Sequence, residues 1–494
     1  MKIELAFTIG AKEEAKQERV FTVPASCRAL TLRHNLSLKY TFLVFVLLKD
    51  PNGVVRLNKQ LGFSESVISI GVDAQNTTIG GVPGEISEGR WVLTVFLFAE
   101  YLGRLAGQRE IPFHIEISCE ETKIEECIGT HAWTDGAFSY DNYDFDKVYC
   151  GEERWYKGDL HTHTRLSDGR ETTENATRKM EFMGLDYYAP TEHNVLHTGW
   201  RDTDVLILTG VEVTTVIGHA NIFGVNRYPE AMEYILADKD EARLKADINL
   251  ILKECRTRGW LFSINHPFLY IWKWLYREFP LEGLDCLEII NDPTYESDPK
   301  AEAGTANKMA VVLSDILWED GYRVCAIGGS DAHNLTQDFY PGAMEPSIAG
   351  DPATFLYMNR LTPTNILDAL RGCRAYVTRH CRIATDLRFG ENLPLEHEKL
   401  EYELVLSGQY EKPDIFYLQN GKKITCKLTW EGEGTWRTEG TVTFTGDGYQ
   451  WIRFGAEDSE GKFLFYGNPV TRGERPHRFE TFGEAADELM RRWK

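Results

Sequence analysis

The 494-residue sequence lacks several features that would assign it quickly to a class of protein. Its ten cysteines are scattered, with no CxxC pair, so neither a disulfide framework nor a zinc–thiolate site is predicted. No window is apolar over the length that a membrane span needs, and the first residues lack a basic segment followed by an apolar run. We therefore expect a reduced, cytoplasmic protein that is not anchored in a membrane.

Positive charge is also scarce. The chain has 54 lysines and arginines against 75 aspartates and glutamates, a net charge of -21, and no basic block. A nucleic-acid partner is not expected, because such partners need clustered cations that neutralise phosphates. The sequence also contains no GxxxxGKS or GxxxxGKT loop, no GxGxxG after a strand and no nucleophile elbow, which argues against ATP-driven, dinucleotide and covalent chemistry.

The spacing of apolar residues divides the chain into three regions. Residues 1–150 carry short alternating runs separated by turn-formers such as DPNG and GGVPG, which predicts an antiparallel, sandwich-like β domain. Residues 151–382 alternate apolar strands with helical stretches, which indicates a parallel α/β core. Residues 383–494 return to strands and predict a second β domain.

Local patterns predict particular elements within these regions. Apolar residues at helical spacing, followed by glycine, predict helices over 173–183 and 242–258. The pairs Asn420-Gly421 and Asp447-Gly448 are hairpin signals, and residues 484–494 are expected to form a short terminal helix.

In the middle region one arrangement recurs: an apolar strand is followed, at its carboxyl end, by side chains that can bind a metal. WYKGDL leads into HTH, LDYYAP into EHN, VLILTGV into a glutamate with GHAN after it, LFSI into NHP, and VCAIGG into a segment containing DAH. Carboxyl ends of parallel strands form the active face of α/β proteins, so these segments can converge. The candidate metal ligands are His161, His163, Asp168, His193, Glu212, His219, His266, Asp331 and His333.

A single HxH or Ser-Asp-Gly sequence is a weak signal, because strand histidines and turn aspartates are common without a metal. The joint pattern carries more weight, since seven of the thirteen histidines lie between 161 and 333 and six of them follow strand ends. His197 is the exception and is predicted to be a loop histidine. Six imidazoles and three carboxylates suit two or three divalent ions, with Glu212 as a bridge, and fit zinc, manganese or iron without choosing among them.

Further residues are expected to support this site. Asp159 shares a strand face with the ligands and could accept an imidazole N–H from behind. Glu288 and Asn291 follow another strand and could also support the site, although a buried-strand or helix-cap role is equally compatible with their positions. Arg165 is the best-placed cation for binding an anionic group of a substrate. The alternative is that Arg165 is an ordinary exposed residue in a loop. Water activated by metal is the remaining route to catalysis, which favours hydrolysis.

The segments HTHTRLSDG, TEHN, GVEVTT with GHANIFG, NHP and GGSDAH together resemble the PHP (polymerase and histidinol phosphatase) metallohydrolases. The opening GDLHTH, the preceding β region and the ending LRGCRAYVT are similar to the branch that includes carbaryl hydrolase. The resemblance covers about residues 158–378. It implies a distorted (β/α)7, TIM-like barrel, flanked here by the N-terminal and C-terminal antiparallel β domains.

The resemblance also implies which residues share an ion. One ion would be held by His161, His163, Glu212 and Asp331, a second by Glu212, His219 and His266, and a third by Asp168, His193 and His333. Glu192 stands where the family commonly has aspartate. It is expected to contact the ligand side chains and not the metal ions themselves. Asn194, two residues further on, is assigned to substrate binding.

These observations predict a metal-dependent phosphoesterase in which a hydroxide held between divalent ions cleaves a small phosphate ester. The alternative on the same metals is a carbamate or carboxyl ester hydrolase. A third class is a non-catalytic module, in which the β domains recognise carbohydrate or protein. The expected partner is a small-molecule ester, with no nucleic acid and no membrane, and the oligomeric state is left open.

Overall fold

The protein is described by a computed structural model. It describes residues 2–493 except 64–66, 121, 123 and 299–304. Among these residues, none of the helices combines the length and the apolar character that a bilayer crossing requires. The chain is a mixed α/β protein in which strands are more numerous than helices.

The N-terminal region consists of two four-stranded antiparallel sheets. Its elements are β1 (Lys2–Ile9), β2 (Lys16–Val23), β3 (Leu30–His34), α1 (Leu38–Thr41), β4 (Val44–Lys49), β5 (Val55–Gln60), β6 (Val67–Ile70), β7 (Gly89–Leu97), α2 (Ala99–Leu105), β8 (Ile111–Cys119) and β9 (His131–Ala132). One sheet has the order β1-β8-β3-β6 and the other the order β2-β7-β4-β5. Their inner faces share one apolar core, which includes Phe7, Leu32 and Trp91.

Strand β4 is buried on both faces, which explains why the run VFVLL is continuously apolar instead of alternating. Val44, Val46 and Leu48 belong to the core between the two N-terminal sheets. Phe45 and Leu47 point the other way, into the core of the middle region. The N-terminal domain therefore packs its second sheet directly against the region that carries the candidate ligands.

The middle region alternates strands and helices. Its elements are β10 (Arg154–Thr162), α3 (Thr173–Phe182), β11 (Tyr187–Pro190), β12 (Gly199–Trp200), β13 (Leu206–Ile207), β14 (Gly210–Thr215), β15 (Gly218–Phe223), α4 (Met232–Ala237), α5 (Glu241–Arg258), β16 (Leu261–Ile264), β17 (Cys286–Asn291), α6 (Ala306–Glu319), β18 (Cys325–Gly329), β19 (Ala353–Met358), α7 (Pro363–Arg371) and β20 (Ala375–Thr378). The two helices predicted from spacing correspond to α3 and α5. Thr172 caps α3 by accepting from the Asn175 N–H, and α5 ends at Gly259, whose φ of 74° suits a residue without a Cβ.

The strands of this region form two sheets joined by isolated bridges. Parallel pairing links β10 with β11, β16 with β17 and β17 with β18, whereas β14 pairs with β15 and β15 with β16 in antiparallel fashion. Single parallel bridges from His193 to Glu212 and from Thr162 to Ala332 connect the sheets. The parallel α/β core expected from the sequence is therefore a mixed arrangement, because the β14–β15 hairpin reverses the chain direction.

The C-terminal region adds mainly strands. Its elements are β21 (Arg382–Thr385), β22 (Asn392–Leu393), β23 (Lys399–Ser407), β24 (Asp414–Gln419), β25 (Lys422–Thr425), β26 (Thr429–Gly432), β27 (Thr435–Thr443), β28 (Gln450–Glu457), β29 (Phe463–Gly467), β30 (Val470–Arg472) and α8 (Phe482–Arg492). One sheet runs β13-β11-β10-β19-β20-β29-β28-β24-β25, so it crosses the predicted boundary at 382 without a break. A separate sheet, β21-β23-β27-β26, completes the region.

The two hairpin signals have different outcomes. Asn420 and Gly421 have φ values of 49° and 84° and close the hairpin between β24 and β25, as predicted. Asp447-Gly448 does not close a hairpin, because the strands that it connects, β27 and β28, pair in different sheets. The segment that contains Asp447 and Gly448 instead passes the chain from one sheet to the other.

Candidate metal centre

The nine candidate ligands lie together, although they come from five separate segments of the chain. His161 is in β10, and four of the ligands, His163, His193, His266 and Asp331, follow the carboxyl ends of β10, β11, β16 and β18. Glu212 and His219 arrive differently, across the antiparallel β14–β15 hairpin, where His219 pairs with Thr214.

A first set of ligand atoms surrounds the space between His161, His163, Glu212 and Asp331. His161 Nε2 lies 3.2 Å from Glu212 Oε1 and 3.3 Å from Asp331 Oδ1. His163 Nε2 lies 3.0 Å from Asp331 Oδ1 and 3.6 Å from Glu212 Oε2. Each imidazole therefore faces both carboxylates, and we call these four residues the first set.

A second set shares Glu212 with the first. Glu212 Oε1 lies 3.3 Å from His219 Nδ1 and 3.5 Å from His266 Nε2. One carboxylate therefore faces imidazole nitrogens of both sets, which is the position of a bridging ligand.

A third set consists of Asp168, His193 and His333. Asp168 Oδ1 lies 3.5 Å from His193 Nε2 and 3.3 Å from His333 Nε2. The two imidazole nitrogens are 3.4 Å apart. Asp168 and His333 are partly exposed, so this set lies nearest to solvent.

The spacing of these atoms fits coordination to a cation. Donor atoms bonded at 2.0–2.1 Å in a tetrahedral site lie about 3.3–3.4 Å from one another. Nitrogen–nitrogen and nitrogen–oxygen separations within the sets span 3.0 to 3.6 Å. Several of the buried atoms, including His161 Nε2, His163 Nε2 and Asp331 Oδ1, make no hydrogen bond. Buried polar atoms without a partner are costly, and a bound cation would remove that cost.

The charges of the site also suit cations. Burial opposes ionisation of Glu212, yet the imidazoles of His161 and His193 hold the pKa of this carboxyl well below its usual range. Burial, together with the neighbouring His333 and His193, lowers the pKa of His163 to about 4, so its imidazole is neutral and offers a lone pair. Burial opposes the protonation of His161, His193 and His333, yet neighbouring carboxylates raise the pKa of each of these imidazoles, so a bound cation would take the place of a proton there.

Glu288 orients the first set from behind. Its Oε1 lies 2.9 Å from His161 Nδ1, which directs the opposite nitrogen, Nε2, into the set. Its Oε2 accepts from the backbone N–H of His266 at 2.9 Å and from Asn291 Nδ2 at 3.1 Å. Asn291 also donates to Asp331 Oδ2 at 3.2 Å. Of the roles left open for Glu288 and Asn291, the structure therefore places both in contact with the ligands.

Glu192 holds the loop that carries His163 and Asp168. Its carboxylate accepts from the Thr164 N–H at 2.9 Å, from the Ser167 hydroxyl and from His197 Nε2 at 2.8 Å. Burial opposes the ionisation of Glu192, but the hydrogen bond and the charge of His197 lower its pKa to about 2. His197 is thus a buried partner of Glu192 that packs against the Trp200 ring, outside the three sets.

Asp159 differs from its expected role. Its Oδ1 accepts from the backbone N–H groups of His161 and Ser330, and its Oδ2 from that of Gly350. No imidazole N–H is among these donors, and the carboxylate instead holds together the backbone of three segments of the chain. Burial raises the pKa of Asp159 to about 6, against the effect of these hydrogen bonds.

Two supporting residues were missed by sequence reasoning. Thr214 Oγ1 lies 2.6 Å from His193 Nδ1, and Asn265 Nδ2 donates to Glu212 Oε1 at 2.9 Å. A signal for Thr214 was present, because it is two residues after Glu212 on one strand and therefore shares its face. Asn265 directly precedes His266, whose φ of 28° turns the chain so that neighbouring side chains reach the same centre.

A cavity of about 180 Å³ opens beside the ligands. Its walls contain ligands of all three sets together with an apolar group and two polar residues. The lining residues are Asp168, His193, His219, His266, Leu269, Trp272, Asn291, Asp292, Tyr295, Asp331, His333 and Tyr340. A small molecule in this cavity would lie against the candidate metal ligands.

The two residues predicted to bind substrate lie elsewhere. Arg165 lines a different cavity with Thr172 and Glu174, and its Nε donates to the Arg170 carbonyl at 3.2 Å. Asn194 hydrogen-bonds the backbone of Thr214 through both ends of its amide, at 2.8 and 2.9 Å, so it fastens the His193 loop to β14. Neither residue is among those that line the cavity beside the ligands.

Fold and site together define a mixed α/β protein with a buried cluster of imidazoles and carboxylates that could hold divalent ions. No family model matches the sequence, and no curated protein matches it. Among solved structures, a two-domain protein containing a predicted PHP-like metal-dependent phosphoesterase from Bacteroides vulgatus ATCC 8482 is 16% identical, with a TM-score of 0.34; the match covers 66% of this chain and 99% of that one. A putative metal-dependent phosphoesterase from Bifidobacterium adolescentis ATCC 15703 is 14% identical over 38% of this chain and 92% of that one, with a TM-score of 0.23. Likeness at this level leaves the function to be argued from the site.

Proposed function

We propose that this protein is a metal-dependent hydrolase of the PHP type that cleaves a small phosphate ester. The observation that carries the proposal is the convergence of nine imidazole and carboxylate side chains whose ligand atoms lie at the spacing of metal ligands. A purely structural role is a poor alternative, because clustering buried imidazoles and carboxylates without a cation is energetically unfavourable.

The first set would hold one ion, the second set another and the third set a third, with Glu212 shared between the first two. When bound, such ions lower the pKa of water toward neutrality and stabilise the charge that develops during ester cleavage. In such a hydrolysis the oxygen of water would bond to phosphorus while the bond to the leaving alcohol breaks, and the leaving oxygen would take up the proton that the water gives up. The residues of the chain hold the ligands in orientation, as Glu288 does for His161.

The proposal is tested by measuring the metal content of the protein together with its hydrolysis of esters. Protein purified without added metal would be analysed for bound elements and assayed on aryl phosphates and phosphodiesters, with and without a chelator. We expect divalent metal and chelator-sensitive hydrolysis, with the metal content reduced and the hydrolysis lost in His161→Ala. His397→Ala, at an exposed position in the C-terminal region, is the matched control and should change neither. Metal-free protein that is inactive on every ester after metal addition would contradict the proposal.

A carbamate or carboxyl ester hydrolase is the second candidate, and one observation favours it. Among the described residues that line the cavity there is no lysine or arginine, so a doubly charged phosphate would rely on the metal ions alone for its countercharge. A neutral ester has no such need. Full metal occupancy with activity confined to carbamate or carboxyl esters would decide for this candidate.

A further inference from the structure

A second cavity lies where helix α6 of the middle region faces the strands of the C-terminal region, and we call it the α6 cavity. Its walls come from α6, from β24, β28 and β29, and from Trp493. Its volume is about 370 Å³, which lies within the range of small-molecule sites, and such sites often lie between domains. The two cavities share none of their described lining residues, so the α6 cavity is separate from the candidate metal centre.

The walls of the α6 cavity are mainly apolar. Val312 lines it from α6, and Phe416, Phe463 and Phe465 line it from the strands opposite. Trp493, which is 38% exposed, borders it on the solvent side. An apolar group placed here would displace water from these side chains, which is favourable.

A buried arginine lies among these apolar residues. Arg453 is 4% exposed, and its Nε and Nη2 donate to the carboxylate of Asp315 at 3.0 and 2.7 Å. Arg453 Cζ lies 4.5 Å from the centroid of the Tyr466 ring and 5.5 Å from that of the Phe416 ring. The ion pair and the two rings hold the guanidinium in one orientation. Its third nitrogen, Nη1, makes no hydrogen bond to any described residue and is able to donate to a ligand.

Gly455 makes room for this guanidinium. It lies two residues after Arg453 in β28, so the two residues share a face of the strand. A Cβ on Gly455 would lie 2.5 Å from Arg453 Nη1 and 3.0 Å from Phe416 Cζ. The close approach of Nη1 to the strand therefore requires a residue without a side chain.

The charged side chains that line the α6 cavity are three cations and two anions, which leaves one positive charge in a chain whose net charge is -21. Arg453 is balanced by Asp315, and Lys423 by Glu457, its partner at 3.1 Å. The remaining cation is Lys308, exposed in the first turn of α6, for which the described part of the chain provides no ion-pair partner. A single negative charge on a ligand would match this excess.

We propose that the α6 cavity binds a small monocarboxylate with an apolar body. Its carboxylate accepts from Arg453 Nη1 and pairs with Lys308, and its body packs against Val312 and the phenylalanines opposite. A doubly charged phosphate fits less well, because one of its charges would be left without a partner beside apolar walls. The site goes beyond the proposed hydrolase and does not depend on it.

The experiment compares 4-phenylbutyrate with its neutral counterpart 4-phenylbutan-1-ol, which has the same carbon skeleton. Binding to the full-length protein, supplied with divalent metal, is titrated by calorimetry. We expect 4-phenylbutyrate to bind roughly ten times more tightly than the alcohol, the gain that hydrogen bonds to a charged group provide. Butyrate, which lacks the ring, should bind at least roughly tenfold more weakly than 4-phenylbutyrate, because it buries less apolar surface. Equal affinity for the acid and the alcohol, or for the two acids, would overturn the proposal.

Variants on α6 assign the binding to this cavity. Lys308→Met removes the charge but keeps an apolar stem, and it should weaken binding of 4-phenylbutyrate roughly two- to fivefold while leaving that of the alcohol unchanged. Val312→Phe narrows the cavity and should weaken the binding of both compounds. Lys253→Met, at an exposed position in α5, is the matched control and should change neither. Unchanged binding in both Lys308→Met and Val312→Phe would overturn the site.

Two further variants test the arginine and exclude the metal centre. Arg453→Lys keeps a cation beside Asp315 but loses the planar fork, so it should remove most of the preference for the acid over the alcohol. Thermal unfolding checks that this variant is folded, and the two α6 variants decide if it is not. His161→Ala should leave the binding of 4-phenylbutyrate unchanged. Loss of binding in His161→Ala would place the carboxylate on the metal ions and would overturn the α6 site.

Discussion

The side chain of Asn58, in the N-terminal domain, hydrogen-bonds the backbone of Leu196 in both directions. Its Oδ1 accepts from the Leu196 N–H at 2.6 Å, and its Nδ2 donates to the Leu196 carbonyl at 3.1 Å. Leu196 is three residues after His193, and the Phe98 ring of the same domain lies 6.5 Å from the His193 ring. A buried polar pair thus fastens the N-terminal domain to the loop that follows His193, a member of the third set.

Asn58→Ala should weaken metal binding by the third set and lower the stability of the fold. The change leaves the N–H and carbonyl of Leu196 buried without their partner, which costs about 1–3 kcal/mol for each unpaired group. We expect a lower thermal midpoint and weaker binding of one metal equivalent, measured by unfolding and by metal titration. Asn52→Ala, in an exposed turn of the same domain, is the control and should leave both quantities unchanged. Unaltered metal binding in Asn58→Ala would show that the domain contact does not support the third set.

Glu288→Gln should reduce metal affinity without removing a ligand. Three donors converge on this carboxylate, from His161, His266 and Asn291, and a glutamine offers only one acceptor oxygen. Loss of such supporting hydrogen bonds typically lowers metal affinity about 10–100-fold. Competition titration with a chelator measures the change, and Glu282→Gln, at an exposed position, serves as its control. An affinity equal to that of the wild type would mean that His161 is oriented by other contacts.

The candidate ligands were accessible from the sequence because strand ends and residue spacing are local features. His161 and His163 share a strand face by simple alternation, and a proline after His266 marks the end of its strand. The antiparallel β14–β15 hairpin was not foreseen, since Gly218 at its turn gives no signal that distinguishes a hairpin from a crossover. Direction of pairing is decided by packing between distant strands.

The neighbours of the ligands were harder to predict, because they depend on contacts between remote segments. Nothing near Arg165 in the sequence shows that its backbone carbonyl accepts from Lys59 Nζ at 3.0 Å, a contact that ties the loop to the N-terminal domain. The aromatic residues that line the cavity have the same origin, since Trp272 and Tyr340 meet through Tyr295. The direction in which such a side chain points, and therefore the partner that it contacts, is set by tertiary structure.

Asp292 should give the protein a measurable pH dependence. Burial raises its pKa from 3.8 to about 7, although hydroxyl groups of Thr294, Ser347 and Tyr340 act in the opposite direction. Ionising this carboxyl in the folded state is therefore unfavourable. The penalty is absent below pH 3.8, grows as the pH rises toward 7 and then stays constant.

Asp292→Asn removes this penalty and should become relatively more stabilising as the pH rises. Each pKa unit corresponds to about 1.4 kcal/mol and the penalty grows over about two units between pH 5 and pH 7, so we expect the variant to gain about 2–3 kcal/mol over the wild type between pH 5 and pH 8. Thermal unfolding of chelator-treated protein at the two pH values measures the difference. Asp447→Asn, at an exposed turn, should show no such pH-dependent gain. A gain that is equal at both pH values would contradict the assignment to Asp292.

Gly62 lies where the N-terminal domain meets the Asp168 loop, and a side chain there should disturb both stability and the third set. A Cβ on Gly62 would lie 2.2 Å from the Ser167 carbonyl oxygen, which is backbone and cannot rotate away. Two neighbouring contacts already hold this loop close to β5: the Gln60 N–H donates to the Leu166 carbonyl at 3.2 Å, and Lys59 reaches the Arg165 carbonyl.

Gly62→Ala therefore combines backbone strain with a steric clash. Its φ of 36° is unfavourable for alanine by about 1–2 kcal/mol, and overpacking adds about 1–3 kcal/mol. Gly53→Ala is a matched control, because Gly53 also has a positive φ, 79°, but a Cβ there meets nothing within 4 Å. We expect both variants to lower the thermal midpoint, Gly62→Ala by more, and only Gly62→Ala to weaken the binding of one metal equivalent through displacement of Asp168. Equal effects of the two variants on metal binding would mean that the loop tolerates the clash without moving its carboxylate.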